Sequence, residues 1–372
     1  MEPVTLTADG LTLRAPEDGD LVDLARAMTD AEVMRWTLVP LDWEKRFPAN
    51  FASVALRQWH DDVNYRWVIT DGERVLGMVN LTPKRHGVME IAFWTSAWAR
   101  GGGVAERAAR AVITWAFDVV GCPRVEWDAI VGNHASRLLA LKLGFTMTGR
   151  QRASLDQRGS RRDTWTGDLL SGELRATPPP GYDVARARAV AFSGEQPELS
   201  TSVPGLRLRP AREEDVDALV RMCGDTEAQQ WITTPVPYER SHAEWFLDFG
   251  RRSWRDGAGP VWVLADAESA CGTIDLRLDA GDRRSGDVGF HTAFWARGRG
   301  YMTAALNAVC AYGFDVLLME RIAWKAYVGN AGSRRVAEKA GFTFEGTLRQ
   351  AIAHRGGEMR DAWLAARLKE DQ

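Results

Sequence analysis

"ARGRGYMTAAL", Ala296 to Leu306, sets two arginines and two glycines directly ahead of an apolar helix pattern. Earlier in the chain, "ARGGGVAERAA", Ala99 to Ala109, does the same. A strand-like run precedes each loop, "MEIAFWT" in the first copy and "DVGFHT" in the second. A strand that ends in a glycine-rich turn and opens a helix aims several free backbone N–H groups one way, and the helix dipole adds positive potential there. Phosphate is the natural guest of such a terminus. Glycine lets the guest approach bare backbone, although any turn that needs positive φ also selects it. Two copies in register favour phosphate over a plain surface turn.

The repeat extends well beyond the loop. "LTLRAPEDGDLVDL" from Leu11 and "LRLRPAREEDVDAL" from Leu206 put Arg14 and Arg209 195 residues apart (209 minus 14), and Trp36 and Trp231 keep that offset. Arg100 and Arg297 are 197 apart (297 minus 100), as are "NHASRLLALKLGF" from Asn133 and "NAGSRRVAEKAGF" from Asn330. Later, "RRDTW" from Arg161 echoes "MRDAW" from Met359. So steady an offset marks two copies of one fold, and the period is too long for a solenoid. The expected organisation is a domain over 1–175, a linker over 176–203 rich in Pro, Gly and Ser, and a second domain over 204–372. Within the linker, "YDVARARAVAF" reads as a short helix.

Each copy follows one plan. An early helix with an acidic first turn leads into a strand pair, "YRWVIT" with "RVLGMVNLT" or "VWVLAD" with "CGTIDLRL". A further strand, the loop and its helix come next. "RVEWDAIV" or "RIAWKAYV" is then a strand, a short helix starts at Asn133 or Asn330, and "GFTMTG" or "GFTFEG" begins a closing hairpin. The expected fold class is α+β, with a mostly antiparallel sheet in each domain.

Composition narrows the functions. The 47 basic and 50 acidic residues leave a net charge of −3, which argues against a broad nucleic-acid or anionic-membrane surface but not against a local anion pocket. No apolar run approaches ~18 residues and the N-terminus lacks a secretory pattern, so a cytoplasmic protein is expected. Cys122, Cys223, Cys271 and Cys310 are scattered, as reduced buried thiols would be. No GKS or GKT follows the loops, and Thr303 stands where a dinucleotide fingerprint wants its third glycine. The six histidines form no metal-binding spacing, so no metal is expected.

Arg-x-x-Gly-x-Ala (Arg100, Gly103, Ala105) and Arg-x-x-Gly-x-Met (Arg297, Gly300, Met302) resemble the acyl-CoA pyrophosphate loop of the GCN5-related N-acetyltransferases (GNAT). "VGFHTAFWARGRGYMTAAL" with "NAGSRRVAEKAGFTFEGTLRQ" resembles the branch that acetylates ribosomal-protein N-termini. The first copy departs further, with Val104 for the usual Tyr and "GRQR" for "GTLR". The resemblance covers nearly the whole chain outside the linker. It implies two tandem GNAT-like domains, each a mixed, mostly antiparallel, splayed sheet flanked by helices. Acetyl-CoA would be the cosubstrate, and the acceptor a peptide N-terminus or an amine-bearing small molecule.

The resemblance also assigns residues. Backbone N–H groups of Arg297, Gly298, Arg299, Gly300, Tyr301, Met302 and Thr303 would hold the pyrophosphate; Arg100, Gly101, Gly102, Gly103, Val104 and Ala105 match them in the first copy. Asn330 and Asn133 would bond the pantetheine arm, a role that does not exclude capping a helix. The N–H of Thr292, or of Thr95, would polarise the thioester carbonyl. Asp287 and Glu90 are the candidate bases on the strand before the loop. The family's frequent Tyr acid is replaced by Ala140 and Ala337, so Ser136 and Ser333 become the candidate acids, unless they only cap the first helical turn. Trp36, Trp43, Trp231 and Trp245 fall in acceptor-side segments, where they line a pocket or pack a core. "TTPVPYERSHAEWF", Thr233 to Phe246, matches the family's acceptor segment better than "LVPLDWEKRFPANF" does. The second domain is therefore expected to carry turnover. The rival reading is a non-catalytic acyl-CoA-binding or scaffolding protein made of two decayed domains.

Overall fold

Arg14 and Arg209, which first reveal the repeat, hold equivalent buried clamps. Arg14 grips Asp20 through two bonds of 2.8 Å, and Arg209 grips Asp215 at 2.7 and 2.8 Å. Both carboxylates are buried, and each also accepts a backbone N–H, from Glu17 or Arg212. A buried charge so completely paired is tolerated, and removing either partner would strand the other. The clamp fastens the strand next to the sheet edge, Leu11–Arg14 or Arg207–Arg209, to the start of the first helix in each copy.

The computed structural model describes residues 1–40, 50–279 and 283–371. The chain divides into two units, Met1–Tyr182 and Asp183–Gln372. The first contains β1 (Leu6–Ala8), β2 (Leu11–Arg14), α1 (Leu21–Met28), α2 (Ala31–Trp36), α3 (Phe51–His60), β3 (Tyr65–Thr70), β4 (Val75–Pro83), β5 (Met89–Thr95), α4 (Val104–Asp118), β6 (Arg124–Ile130), α5 (His134–Leu143), β7 (Thr146–Gln157) and β8 (Ser160–Leu170). After α6 (Tyr182–Ser193), which begins at the division, the second contains β9 (Leu199–Ser200), β10 (Arg207–Arg209), α7 (Val216–Cys223), α8 (Arg240–Arg255), β11 (Val261–Ala265), β12 (Ala270–Leu278), β13 (Ser285–Thr292), α9 (Tyr301–Asp315), β14 (Arg321–Tyr327), α10 (Ala331–Lys339), β15 (Thr343–Ala353) and β16 (Met359–Leu368).

Each unit has one eight-stranded sheet, ordered β1-β2-β3-β4-β5-β6-β8-β7 in the first and β15-β16-β14-β13-β12-β11-β10-β9 in the second. Every neighbouring pair is antiparallel except β5–β6 and β13–β14, which are parallel because α4 or α9 carries the chain across between them. The architecture is thus α+β in tandem. The stretch read as a linker does hold the expected helix, α6. Val184, Ala189 and Phe192 of that helix are buried, and Phe192 packs edge-on against Trp254 in the core of the second unit.

The cores explain where the tryptophans went. In the first unit Trp59, Trp67 and Trp115 pack at steep angles 4.7 to 6.0 Å apart, all nearly inaccessible. In the second, Trp262 meets Tyr312 edge-on at 5.5 Å. Such tilted pairs add to ordinary apolar burial. No helix among the described residues is long and apolar enough to cross a membrane.

Candidate functional site

β13 and β14 stay paired only from Ser285↔Arg321 to Val288↔Trp324, although the strands run on to Thr292 and Tyr327. Past that point they part. β5 and β6 behave alike, paired from Met89↔Val125 to Ile91↔Trp127 while running on to Thr95 and Ile130. The other neighbour of each strand does not let go. β12 pairs with β13 up to Gly272↔Thr292, where a Cβ on Gly272 would sit 2.9 Å from the His291 carbonyl oxygen. At the equivalent Gly77 a Cβ would come within 2.3 Å of the Trp94 oxygen. Glycine is needed there to bring the strand close just before the loop.

In the second unit the loop is shaped by Gly298 and Gly300, with φ of 77° and 76°. Nothing lies within 4 Å of a Cβ added at either position. Gly300 is the N-cap of α9 and no side chain caps that helix. The first-turn N–H groups, from Tyr301 to Thr303, therefore have no intrahelical acceptor and meet open space. A cavity of about 520 Å³ covers them. Its lining joins Arg297, Gly298, Gly300, Tyr301, Met302 and Thr303 of the loop to Thr292, Asn330 and Ser333. The structure thus brings these expected residues together. Trp231 joins them, in keeping with its pocket-lining alternative, and His291, Arg335 and Lys339 are added. Arg297 does not point at the guest: it binds Asp225 and Glu227 at 2.6 Å each and braces the loop. Arg299 lies over the Tyr301 ring at 5.9 Å.

Asn330 Oδ1 accepts the Ser333 N–H at 3.1 Å, so Asn330 is a helix N-cap, and its amide nitrogen stays available to a guest. The Ser333 hydroxyl accepts a hydrogen bond from the buried Trp324 indole at 3.1 Å. With its acceptor side so engaged, that hydroxyl has its own proton to donate into the cavity. The first unit repeats the pattern, with Asn133 accepting from the Ser136 N–H at 3.2 Å and Trp127 donating to the Ser136 hydroxyl at 3.0 Å. The shared Trp in "RVEWDAIV" and "RIAWKAYV" was the sequence signal for this support.

Asp287 is placed elsewhere. It is ion-paired with Arg277, which also lies 3.3 Å from Asp275, and it is not among the cavity-lining residues. Gly289 makes room for this cluster, since a Cβ there would stand 2.9 Å from Asp275 Oδ1 and 3.1 Å from Arg277 Nη2. Burial, with Asp287 beside it, pushes the Asp275 carboxyl up to about 6 against the pull of Arg277.

His291 faces the cavity with Nε2 buried and unpartnered. Burial, aided by the nearby Arg297 charge, lowers its pKa to about 4. An unfolded His takes its proton near 6.5, so between 6.5 and 4 acid favours the unfolded chain. Stability should accordingly fall across that window, and His291→Gln should remove up to ~3 kcal/mol of the loss. Thermal melts of both proteins between pH 7.5 and 4.5 check this; parallel curves would assign the acid sensitivity to other groups.

The first unit keeps the loop's shape but not its charge. Gly101 and Gly103 have φ of 80° and 69°, and Gly103 is the uncapped N-cap of α4. Arg100 pairs with Asp30, much as Arg297 pairs with its carboxylates. Glu106, however, occupies the first turn of α4 where the second unit has Thr303. Burial would raise the Glu106 carboxyl, but Lys142 and Arg110 hold it below the usual range, so it is ionised at neutral pH. Lys142 is thereby consumed, whereas its counterpart Lys339 lines the second cavity, and Leu138 stands in place of Arg335. A cavity of the first unit, about 510 Å³, is lined by Glu90, Asn133 and Ser136, but not, among the described residues, by Thr95 or Arg100 to Ala105. Glu90 there pairs with Lys84 at 2.6 Å. Trp36 and Trp231 line their respective cavities, while Trp245 is exposed and stacked on Phe249 at 5.2 Å. Trp43 lies outside the described residues.

A sequence profile of the acetyltransferase (GNAT) domain matches residues 10–146 and again 205–343. The chain belongs to the GNAT family. Relatives include proteins of Bacillus subtilis (strain 168). YdaF, provisionally named a ribosomal N-acetyltransferase, is 34% identical over 113 residues, covering 30% of this chain and 61% of YdaF. The chain thus spans under two thirds of that relative. The N-acetyltransferase YoaA, uncharacterised, is 24% identical over 153 residues, 41% of this chain and 86% of YoaA. Among solved GNAT structures, Mycobacterium smegmatis RimJ in complex with CoA-disulfide shares 24% identity and a TM-score of 0.43, covering 47% of this chain and 88% of RimJ.

Proposed function

We propose that this protein transfers an acetyl group from acetyl-CoA to a primary amine, and that the second unit carries the reaction. The observation that carries this reading is a single cavity joining an uncapped, glycine-gated helix N-terminus to the Ser333 hydroxyl. The pyrophosphate would lie on the N–H groups of Tyr301 to Thr303, with Arg335 and Lys339 adding charge. The pantetheine arm would enter the gap between β13 and β14 and pair with strand backbone. Its thioester carbonyl would meet the Thr292 N–H.

The amine lone pair attacks the thioester carbon, the C–S bond breaks, and the sulfur leaves as a thiolate. The Ser333 hydroxyl, oriented by Trp324, donates its proton to that sulfur, and the proton shed by the amine returns through solvent to restore the hydroxyl. The chemistry favours an α-amine. The lining carboxylate Glu227 is tied to Arg297, and Asp287 to Arg277, so no free carboxylate faces the cavity among the described residues. An α-amine of pKa ~7.7–8 is already unprotonated in roughly a quarter of molecules near pH 7.4, against about one in a thousand for an alkyl amine of pKa ~10.4. A peptide or protein N-terminus therefore needs the least help, and the name of YdaF supports the same acceptor.

Calorimetry with acetyl-CoA should give one site per chain, because Glu106 places a fixed negative charge at the first unit's loop. Thiol release with a peptide acceptor should vanish in the pair Asn330→Ala with Ser333→Ala and persist in the pair Asn133→Ala with Ser136→Ala. The reverse pattern would move the reaction to the first unit, and no binding at millimolar acetyl-CoA would end the transfer reading.

A further inference from the structure

The first unit's cavity has a charge layout that its twin lacks. Arg66 on β3 stands opposite Asn80 on β4, which stands opposite Ala92 on β5. Asp128 follows Trp127, the last residue of β6 paired with β5, so it continues the row. All four line the cavity, as does Glu90. Two interstrand steps of ~4.8 Å, and then the opening gap between β5 and β6, separate the Arg66 and Asp128 backbones by ~14 Å or more.

The two ends of this row are opposite in sign, and Arg66 is short of a partner. Burial lowers the Arg66 pKa, its guanidinium lies over the Phe51 ring at 5.3 Å, and no carboxylate among the described residues pairs with it. At the other end, loss of solvent and then the Glu90 charge push the Asp128 carboxyl up to about 6. Between them the walls are apolar and aromatic, including Trp36, Phe93 and Trp94. In the second unit the same row reads Val261, Asp275, Gly289 and then Lys325 after Trp324. The fold does not require the first unit's arrangement, and the neighbouring phosphate loop, with Glu106, does not explain it.

A cavity with, among the described residues, an unpaired cation at one end, carboxylates at the other and aromatic walls between complements a zwitterion with an apolar body. We propose that the first unit binds a short zwitterionic peptide, its carboxylate at Arg66 and its ammonium at Asp128 beside Glu90. A two-residue peptide spans ~7 Å. The Arg66 and Asp128 side chains fill the rest of the row. This site is separate from the transfer reaction proposed for the second unit and needs no acetyl-CoA.

The probe is leucyl-phenylalanine, compared with its C-terminal amide and its N-acetyl form. Calorimetry and tryptophan fluorescence on the full chain, without acetyl-CoA, read the binding. The free zwitterion should bind, and each blocked form should bind roughly tenfold or more weakly, since each loses one charge-assisted contact. Arg66→Met should make the free acid and the amide equivalent; Asp128→Asn should do so for the free amine and the N-acetyl form. Gly300→Asp should leave this binding intact, which separates the site from the transfer reading. Equal binding of all three probes, or none at millimolar zwitterion, overturns the proposal. If Arg66→Met fails to fold on thermal melting, the probe series on the unaltered protein still decides.

Discussion

Gly300→Asp is expected to abolish acetyl-CoA binding while leaving the protein folded. Position 300 is the N-cap of α9 with φ of 76°, and open space lies where its side chain would go. Aspartate tolerates that conformation better than most residues. Its carboxylate would also cap α9, taking the N–H groups that the proposed pyrophosphate needs. A like charge ~4 Å from the phosphate adds ~4 kcal/mol of repulsion at an effective dielectric of 20. Together these should weaken binding by about three orders of magnitude. Calorimetry for the affinity and a thermal melt for the fold check both halves. Affinity within threefold of the unaltered protein would show that the loop holds no phosphate.

The second large effect belongs to Ser333. Ser333→Ala should cut kcat by ~10²-fold or more, as removal of a group that protonates a leaving atom does. The Kd for acetyl-CoA and the Tm should barely move, because the cap on α10 is the Asn330 side chain and the Ser333 backbone N–H, both of which remain. Trp324→Phe should fall in between. It leaves the hydroxyl in place but removes the indole N–H that orients it, for a loss of about tenfold in kcat. If Ser333→Ala lowers Tm and spares kcat, the hydroxyl is structural and the thiolate takes its proton from water.

Much of this was readable beforehand, and the reasons are physical. Duplication showed because a steady residue offset cannot arise by chance over so many motifs. The loops showed because bare backbone at a helix start demands glycine, and the capping role of Asn330 and Asn133 follows from residue type. What stayed hidden depended on partners brought together by register. Asp287 looked free until strand pairing set Arg277 opposite it. Arg297 and Arg299 looked equivalent, yet Arg297 is spent on Asp225 and Glu227 from a loop about 70 residues earlier. Glu106 was visible in "ARGGGVAERAA", but its weight came from Lys142, 36 residues on. His291 lies within "DVGFHT", which reads only as a strand, and the environment that strips its charge comes from the folded cavity.

The parting of β13 from β14 after Val288↔Trp324 has one more consequence. It gives the sheet two inner edges that face each other across a wedge. Sheet edges usually lie on the perimeter, where they invite other chains to add on and must be guarded with charge or bulges. These edges need no such guard, because the wedge filters by cross-section. An ordinary peptide strand carries a side chain at every residue and would jam where the two strands converge. A slender chain that bears amides but no side chains can slide to the apex and use the unpaired backbone there. Pantetheine is such a chain, so in the proposed reaction the gap would select by thickness before any residue made a specific contact.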